Sequence, residues 1–235
     1  FRMRPQLFHN EGGGSFRDVA APTGVAGLAA EVGRGACFGD VDDDGDADLL
    51  VGDWGDDPNP GDPSPSSLHL WLNDGTGSFA EADAQITSPV PGGSSTPIDL
   101  DVFDLDGDFD LDVLVNLRNG DLVLYRNDGA GAFSVAPLPE KPGPYSYNPG
   151  VCDVDADGDL DLWVDNGFEV AYPQLLLNDG AGNFAASGSF ALGTINDPRS
   201  VSFADIDQDG DLDLWLTGSA PAGMAAIINA VVTNA

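Results

Sequence analysis

Four short apolar runs recur along the chain, and each begins directly after a segment in which aspartate alternates with other residues. The runs read LLV, VLV, LWV and LWL. An unbroken apolar run of this length, next to turn-forming residues, predicts a strand that is covered on both faces. No run approaches 18 apolar residues, so the pattern predicts no membrane-spanning helix. The chain is therefore expected to be all-β.

The segments before these runs form the first of two repeated motifs. They read DVDDDGDAD at 40–48, DLDGDFDLD at 104–112, DVDADGDLD at 153–161 and DIDQDGDLD at 205–213. We call them the first to fourth acidic loops and number their positions 1 to 9. Their starts are 64, 49 and 52 residues apart. The spacing indicates one repeated structural unit.

The second motif alternates with the first and marks a turn. It reads NDGTGSF at 73–79, NDGAGAF at 127–133 and NDGAGNF at 178–184, with a looser copy, NEGGGSF, at 10–16. We call the first three copies the first to third Asn-Asp-Gly turns. An Asp-Gly pair between two β-type runs predicts a hairpin, because glycine accepts a positive φ without steric cost.

Together the two motifs predict a β-propeller of four-stranded antiparallel blades, because propeller blades repeat every 40–50 residues with several strands each. About four and a half blades are expected, in a single propeller region over 1–235. The C-terminal segment does not supply the two strands that the opening half blade lacks, so we expect these blades to belong to a larger ring. The predicted units are a half blade over 6–20, blades over 33–85, 97–136 and 146–187, and an incomplete blade over 198–235.

The charge is strongly acidic and concentrated in the acidic loops. The 235 residues include 40 acidic and 8 basic ones, for a formal net charge of −32. Such a surface repels nucleic acid and anionic lipid, so neither is expected as a partner, and no membrane insertion is expected. The four loops hold 21 of the 40 acidic residues, which indicates cation binding.

Calcium is the expected cation, with about four ions per chain. Two carboxylates about 6 Å apart repel each other by roughly 2–3 kcal/mol at an effective dielectric constant near 20. Calcium offsets such repulsion and accepts 6–8 oxygen ligands in variable geometry. We expect side-chain ligation from positions 1, 3, 5 and 9 and the backbone carbonyl of position 7. The candidate metal residues are Asp40, Asp42, Asp44, Asp46, Asp48, Asp104, Asp106, Asp108, Asp110, Asp112, Asp153, Asp155, Asp157, Asp159, Asp161, Asp205, Asp207, Asp209, Asp211 and Asp213.

Two other interpretations of the acidic loops are less favoured. An EF-hand requires a bidentate Glu at position 12, where this chain has Val51, Val115, Val164 and Leu216. Solvated acidic turns explain one copy more easily than four copies in register. The second loop has Phe109 at position 6, where the other three have glycine. If that position is left-handed, the site is expected to be the weakest of the four.

Both motifs resemble the FG-GAP and VCBS repeats, whose relatives include the propellers of integrin alpha subunits. The resemblance covers residues 7 to about 229. It implies a propeller, often seven-bladed, with calcium between the first two strands of a blade, in a secreted or cell-surface protein that binds other macromolecules. The Phe-Gly and Gly-Ala-Pro signatures of the integrin repeat are mostly absent, so integrin-like ligand binding is not expected.

The resemblance and the loop pattern predict a calcium-stabilised extracellular binding or adhesion module for a protein or glycan. Trp54, Tyr145 and Tyr147 fall in long insertions on the face opposite the acidic loops, where they are candidate ligand contacts; packing between blades is the alternative. Three further tryptophans lie within predicted strands and are expected in the core: Trp71, Trp163 and Trp215.

The alternatives are a polysaccharide lyase of the propeller type, another enzyme, or a structural module that contacts further modules of a larger surface protein. Enzyme activity is not expected, because the only histidines are His9 and His69 and no G-x-S-x-G or HExxH motif occurs. Cys37 and Cys152 are predicted to be buried free thiols, with a disulfide between blades as the alternative.

Overall fold

The computed structural model describes residues 6–25, 33–53, 68–86, 97–118, 121–139, 149–164, 174–189, 196–219 and 225–230. These residues form seventeen β-strands and one short 3₁₀ helix, Asp83–Gln85, and they contain no α-helix. Within these ranges no helix is long and apolar enough to cross a membrane. The predicted all-β class is confirmed.

The strands form five sheets, and neighbouring strands in each sheet follow one another in sequence. Three sheets have four strands, so the predicted four-stranded sheets are also confirmed.

The N-terminal hairpin pairs β1 (Phe8–Gly12) with β2 (Ser15–Asp18). The first sheet contains β3 (Gly33–Gly39), β4 (Asp48–Asp53), β5 (Leu68–Asn73) and β6 (Phe79–Glu81). The second contains β7 (Pro97–Phe103), β8 (Asp112–Leu117), β9 (Leu122–Arg126) and β10 (Ser134–Ala136). The third contains β11 (Gly150–Cys152), β12 (Asp161–Val164), β13 (Gln174–Asn178) and β14 (Phe184–Ser189). The fourth contains β15 (Asn196–Ala204), β16 (Asp213–Ser219) and β17 (Ala225–Ala230).

Each acidic loop connects the first two strands of its sheet. In the first sheet, the antiparallel register pairs Gly39 with Asp48, so residues 40–47 form the connection. In the third and fourth sheets, Cys152 pairs with Asp161 and Ala204 pairs with Asp213. The last aspartate of a loop is therefore the first residue of the next strand, and this register holds it where the loop closes.

The apolar runs after the acidic loops form the core. Val113, Val115 and Leu162 are fully buried, as expected for strands with other chain on both faces. Trp71 is buried against Val25 and Leu49. The predicted core positions of Trp71 and Trp163 are confirmed.

The prediction for Trp215 is wrong, because this side chain is 39% exposed. Trp71 is covered by a segment that follows the N-terminal hairpin and includes Val25. An apolar side chain on a strand is buried only if another element packs on its face.

The chain divides into two compact units. The first comprises residues 1–103, 110–115 and 123–136, and the second comprises 104–109, 116–122 and 137–235. Within the first unit, β3 and β4 pack against β7. A Cβ atom on Gly35 would lie 3.0 Å from the Asp99 Cα atom, and one on Gly52 would lie 2.6 Å from the Pro97 Cβ atom. These glycines let the neighbouring strands approach closely. Within the second unit, β11 packs against β15.

Candidate metal centre

Each acidic loop brings three carboxylates together. In each group, one carboxylate oxygen from every member lies within 4.8 Å of the others. Three loops contribute positions 1, 3 and 9, and the second loop contributes positions 1, 3 and 5. The four groups are Asp40, Asp42 and Asp48; Asp104, Asp106 and Asp108; Asp153, Asp155 and Asp161; and Asp205, Asp207 and Asp213.

The aspartate at position 9 closes the loop. Asp48 is fully buried; its Oδ2 accepts the N–H of Val41 at 3.0 Å and its Oδ1 accepts the N–H of Asn73 at 2.8 Å. Asp161 repeats this arrangement with the N–H groups of Val154 and Asn178, both at 2.9 Å. Position 9 therefore joins the start of its own loop to the start of the Asn-Asp-Gly turn in the same sheet.

Asp112 and Asp213 each show part of the same arrangement at position 9. Asp112 is buried and its Oδ1 accepts the N–H of Asn127 at 3.0 Å. Oδ2 of Asp213 accepts the N–H of Ile206 at 2.9 Å. The position-9 carboxylate thus accepts backbone N–H groups in all four loops, although the spacing between the loops and their sequences differ.

The aspartate at position 1 shapes the turn. Oδ2 of Asp40 accepts the N–H of Gly45, at position 6, with a distance of 3.0 Å. Corresponding bonds run from Gly158 to Asp153 and from Gly210 to Asp205, each at 3.1 Å. In the second loop, Phe109 donates its N–H to Oδ2 of Asp104 at 3.2 Å. Oδ1 of Asp40 has no hydrogen-bond partner, whereas Oδ1 of Asp104, Asp153 and Asp205 also accepts a backbone N–H from position 4 or 5 of its own loop.

The electrostatics of the carboxylate groups favour a cation. Burial and the neighbouring Asp44 raise the pKa of Asp42, and burial and Asp157 raise the pKa of Asp155. Burial also raises the pKa of Asp48 and of Asp161. For Asp207 the largest cause of the raised pKa is the charge of Asp209. In each case burial or a neighbouring carboxylate disfavours the ionised form.

Two orphaned oxygen atoms show that the first group fits a divalent cation. Oδ1 of Asp40 and Oδ1 of Asp42 are buried and have no hydrogen-bond partner. A buried carboxylate oxygen without a partner is costly, and hard cations such as calcium bind carboxylate oxygen. The residues present therefore fit a calcium ion.

The aspartate at position 7 has a different place. A Cβ atom on Gly180 would lie 2.5 Å from Oδ2 of Asp159, and one on Gly129 would lie 2.5 Å from Oδ2 of Asp110. The position-7 carboxylate thus rests against the glycine of the Asn-Asp-Gly turn, which explains why that turn requires a residue without a side chain. The four groups of three carboxylates do not include it.

A model of the FG-GAP-like repeat matches residues 2–51, 61–115, 104–164 and 167–216. The chain belongs to the FG-GAP-like repeat family. This confirms the resemblance that the two motifs indicated. The matched segments include all four acidic loops, so the family assignment and the metal groups rest on the same residues.

Three relatives of this FG-GAP-like chain have the name cartilage acidic protein 1. The Xenopus tropicalis protein is 31% identical over 183 residues, which cover 71% of this chain and 26% of that protein. The Mus musculus protein is 30% identical over 184 residues, with 71% and 26% covered. The Homo sapiens protein is 30% identical over 184 residues, with 71% and 25% covered. The chain spans about a quarter of the length of these curated relatives.

Several residues of the FG-GAP-like chain that were singled out earlier have other positions. Trp54, Tyr145 and Tyr147 lie outside the described residues. Nδ1 of His69 lies 2.6 Å from Oδ2 of Asp83, whose Oδ1 accepts the N–H of Leu70 at 2.9 Å. This pair joins β5 to the 3₁₀ helix. Cys37 and Cys152 are free thiols and are half-buried.

Sequence reasoning did not find the asparagine side chains of the Asn-Asp-Gly turns as part of the metal centre. Asn73, Asn127 and Asn178 all donate Nδ2 to the carbonyl of position 8 in the acidic loop of their own sheet. Each asparagine stands at the end of the third strand of its sheet, as its last residue or directly after it, and this repeated position was a usable signal. It was interpreted only as a turn signal.

Proposed function

We propose that the chain is a calcium-stabilised part of a β-propeller that binds a protein or glycan outside the cell. The observation that supports it is the convergence of three carboxylates in each of four loops, with two buried oxygen atoms of the first group lacking any partner. Calcium, when bound, would supply the positive charge that offsets the mutual repulsion of these carboxylates. The chain's own residues hold the loops closed through position 9.

The proposed propeller arrangement rests on the packing within each unit. The first strands of successive sheets lie together, β3 with β7 and β11 with β15. Each sheet is a meander whose strands follow in sequence. In a propeller, the first strand of every blade lies nearest the central channel, and these contacts are the ones that such an arrangement requires.

An extracellular location is proposed on two grounds. Loops that are largely exposed and rich in carboxylates suit the low calcium affinity of extracellular modules. The names of the relatives contain the words cartilage and acidic, and this chain has a net charge of −32. The partner is proposed to contact Trp54, Tyr145 and Tyr147 and to be a protein or a carbohydrate.

Metal analysis tests the calcium proposal. We expect about four calcium ions per chain after dialysis against calcium at a free concentration that saturates the loops. Asp205→Asn and Asp40→Asn should each reduce the number by about one. A wild-type chain that retains one ion or none would refute the proposal.

A glycan array and a pull-down, each with the aromatic triple variant Trp54→Ala, Tyr145→Ala, Tyr147→Ala, test the binding proposal. Loss of a partner by this variant at unchanged melting temperature would support the site. Binding that is unchanged would place the site elsewhere. Turnover of an acidic polysaccharide would favour the lyase alternative, and no partner in either assay would favour a structural module.

A further inference from the structure

One asparagine side chain joins the acidic loops of the first two sheets. Nδ2 of Asn127 donates to the carbonyl of Val41 at 2.7 Å and to the carbonyl of Leu111 at 3.2 Å. Val41 is position 2 of the first acidic loop and Leu111 is position 8 of the second. The two N–H donors of the amide are thus divided between two loops that are far apart in sequence.

A second asparagine repeats this arrangement one sheet later. Nδ2 of Asn178 donates to the carbonyl of Leu105 at 2.8 Å and to the carbonyl of Leu160 at 3.0 Å. Leu105 is position 2 of the second loop and Leu160 is position 8 of the third. Asn127 and Asn178 are both buried, so their bonds are shielded from competing water.

The bonded carbonyl lies between two members of a carboxylate group. Val41 stands between Asp40 and Asp42, and its N–H donates to Oδ2 of Asp48 at 3.0 Å. Its peptide groups are held by the loop on one side and by Asn127 on the other. The backbone N–H of Asn127 in turn donates to Oδ1 of Asp112 at 3.0 Å. Asp112 at the end of the second acidic loop therefore fixes the backbone of Asn127, whose side-chain amide holds the first acidic loop at Val41.

We propose that Asn127 and Asn178 are positioning residues that couple neighbouring calcium loops, so that calcium in one loop raises the calcium affinity of the adjacent one. The proposal rests on the calcium binding proposed above. Because such coupling is reciprocal, the first loop gains from calcium in the second as much as the second gains from calcium in the first. Groups that orient metal ligands without touching the metal commonly change affinity by about 10–100-fold.

Asn73 provides a matched control from the first Asn-Asp-Gly turn. Its Nδ2 donates to the carbonyl of Ala47 at 3.2 Å, at position 8 of its own sheet's loop. Its Oδ1 accepts the N–H of Gly77 at 3.2 Å. Within the described part of the chain, its side chain shows no bond to the loop of another sheet. Asn73→Ala therefore removes the bonds within one sheet only.

Calorimetric titration of the 235-residue chain with calcium tests the coupling. We expect a cooperative isotherm for the wild type and for Asn73→Ala. Asn127→Ala should lower the affinity of two ions by about 10-fold or more and reduce the Hill coefficient toward one. Asn178→Ala should do the same for the second and third loops, and it keeps the test decisive if Asn127→Ala does not fold.

A double-mutant cycle separates this role from a purely structural one. Asp40→Asn and Asn127→Ala are combined, and the free energy of unfolding is measured in calcium and in EDTA. We expect an interaction energy that is large in calcium and small in EDTA, whereas a structural pin would give the same value in both. Equal values, or Asn127→Ala with wild-type affinities and cooperativity, would overturn the coupling alone. A wild-type chain that binds no calcium would overturn both the coupling and the proposed function.

Discussion

Two left-handed residues shape every acidic loop, at positions 4 and 6. In three loops, position 4 is a non-glycine residue with a φ of 58° to 65° and position 6 is glycine with a φ of 93° to 102°. The second loop reverses this: Gly107 has a φ of 74° at position 4 and Phe109 a φ of 76° at position 6. Each loop thus places one residue with a side chain in the left-handed region. In the second loop the strained non-glycine residue therefore stands at position 6 instead of position 4, and Phe109 adds no further left-handed side chain.

Replacing Phe109 by glycine should stabilise the protein. The ring is 88% exposed, so little packing is lost, and glycine removes a left-handed penalty of about 1 kcal/mol. Urea unfolding in excess calcium measures the gain. Phe109→Ala is the control, because alanine removes the ring and keeps the penalty. A gain of the same size in both variants would trace the effect to the ring.

The two thiols should react slowly in the folded protein. Burial, with the charges of Asp101 and Asp99, raises the pKa of Cys37 to about 12. Burial, with Asp161 and Asp153, raises the pKa of Cys152 to about 12. Because the thiolate is the reactive form, a disulfide reagent at pH 8 should label neither residue rapidly. Unfolding in guanidinium should release two fast equivalents, and fast labelling of the native chain would contradict the prediction.

At the scale of elements, the acidic loop and the Asn-Asp-Gly turn form one unit. Position 9 accepts N–H groups from both, and the carboxylate at position 7 rests on the turn glycine. The alternation of the two motifs along the chain therefore has a direct structural cause. A change in one element must propagate to the other.

Asp161→Ala should destabilise the third sheet strongly, and Asp159→Ala should not. The first variant removes the acceptor of two buried N–H groups, each worth about 1–3 kcal/mol. We expect a loss of about 2–4 kcal/mol in the free energy of unfolding, including in EDTA, because the hydrogen bonds do not depend on the metal. Asp159→Ala should change stability by less than about 0.5 kcal/mol and preserve calcium stoichiometry. Equal effects of the two variants would refute the distinct roles of positions 9 and 7.

The local features of the fold were predictable from sequence. The apolar run LWV, which predicted a strand, lies within Asp161–Val164, because an apolar run after a turn signal depends on few distant contacts. The bond from Asn127 to Val41 was not predictable, since 86 positions separate the two residues. The exposure of Trp215 was also missed. Burial of a strand residue depends on which element covers it, and no local pattern encodes that.

At the scale of the whole molecule, charge dominates the energetics. Four calcium ions would offset a quarter of the net charge of −32. An ion bound only by the folded state stabilises it by about 2.7 kcal/mol at one hundred times its dissociation constant. Chelation should therefore lower the melting temperature by several degrees or more. Added sodium chloride should restore only part of this loss, because salt screens the repulsion between carboxylates but does not replace the bonds between carboxylates and calcium.

The effect of pH on stability should change sign when calcium is removed. Among the described residues, more carboxyl pKa values are raised in the folded chain than are lowered. The raised ones are those of Asp42, Asp48, Asp101, Asp155, Asp161 and Asp207, and the lowered ones are those of Glu11, Asp74 and Asp179. We therefore expect the folded state to bind more protons than the unfolded state. The free energy of unfolding in EDTA should then increase as pH falls from neutral through these raised pKa values. In calcium it should decrease over the same range, because protons compete for the ligands. Melting curves at several pH values test this, and parallel slopes would contradict it.

The bond from position 6 to position 1 also bears on the chemical ageing of the protein. Three of the acidic loops contain an Asp-Gly pair at positions 5 and 6, the sequence at which an aspartate residue rearranges most easily to isoaspartate. That reaction begins when the glycine nitrogen attacks the side chain just before it. In the folded loops this N–H is donated to a different carboxylate, at Asp40, Asp153 or Asp205. The hydrogen bond that closes each of these three loops thus also holds the glycine nitrogen away from attack on the aspartate before it.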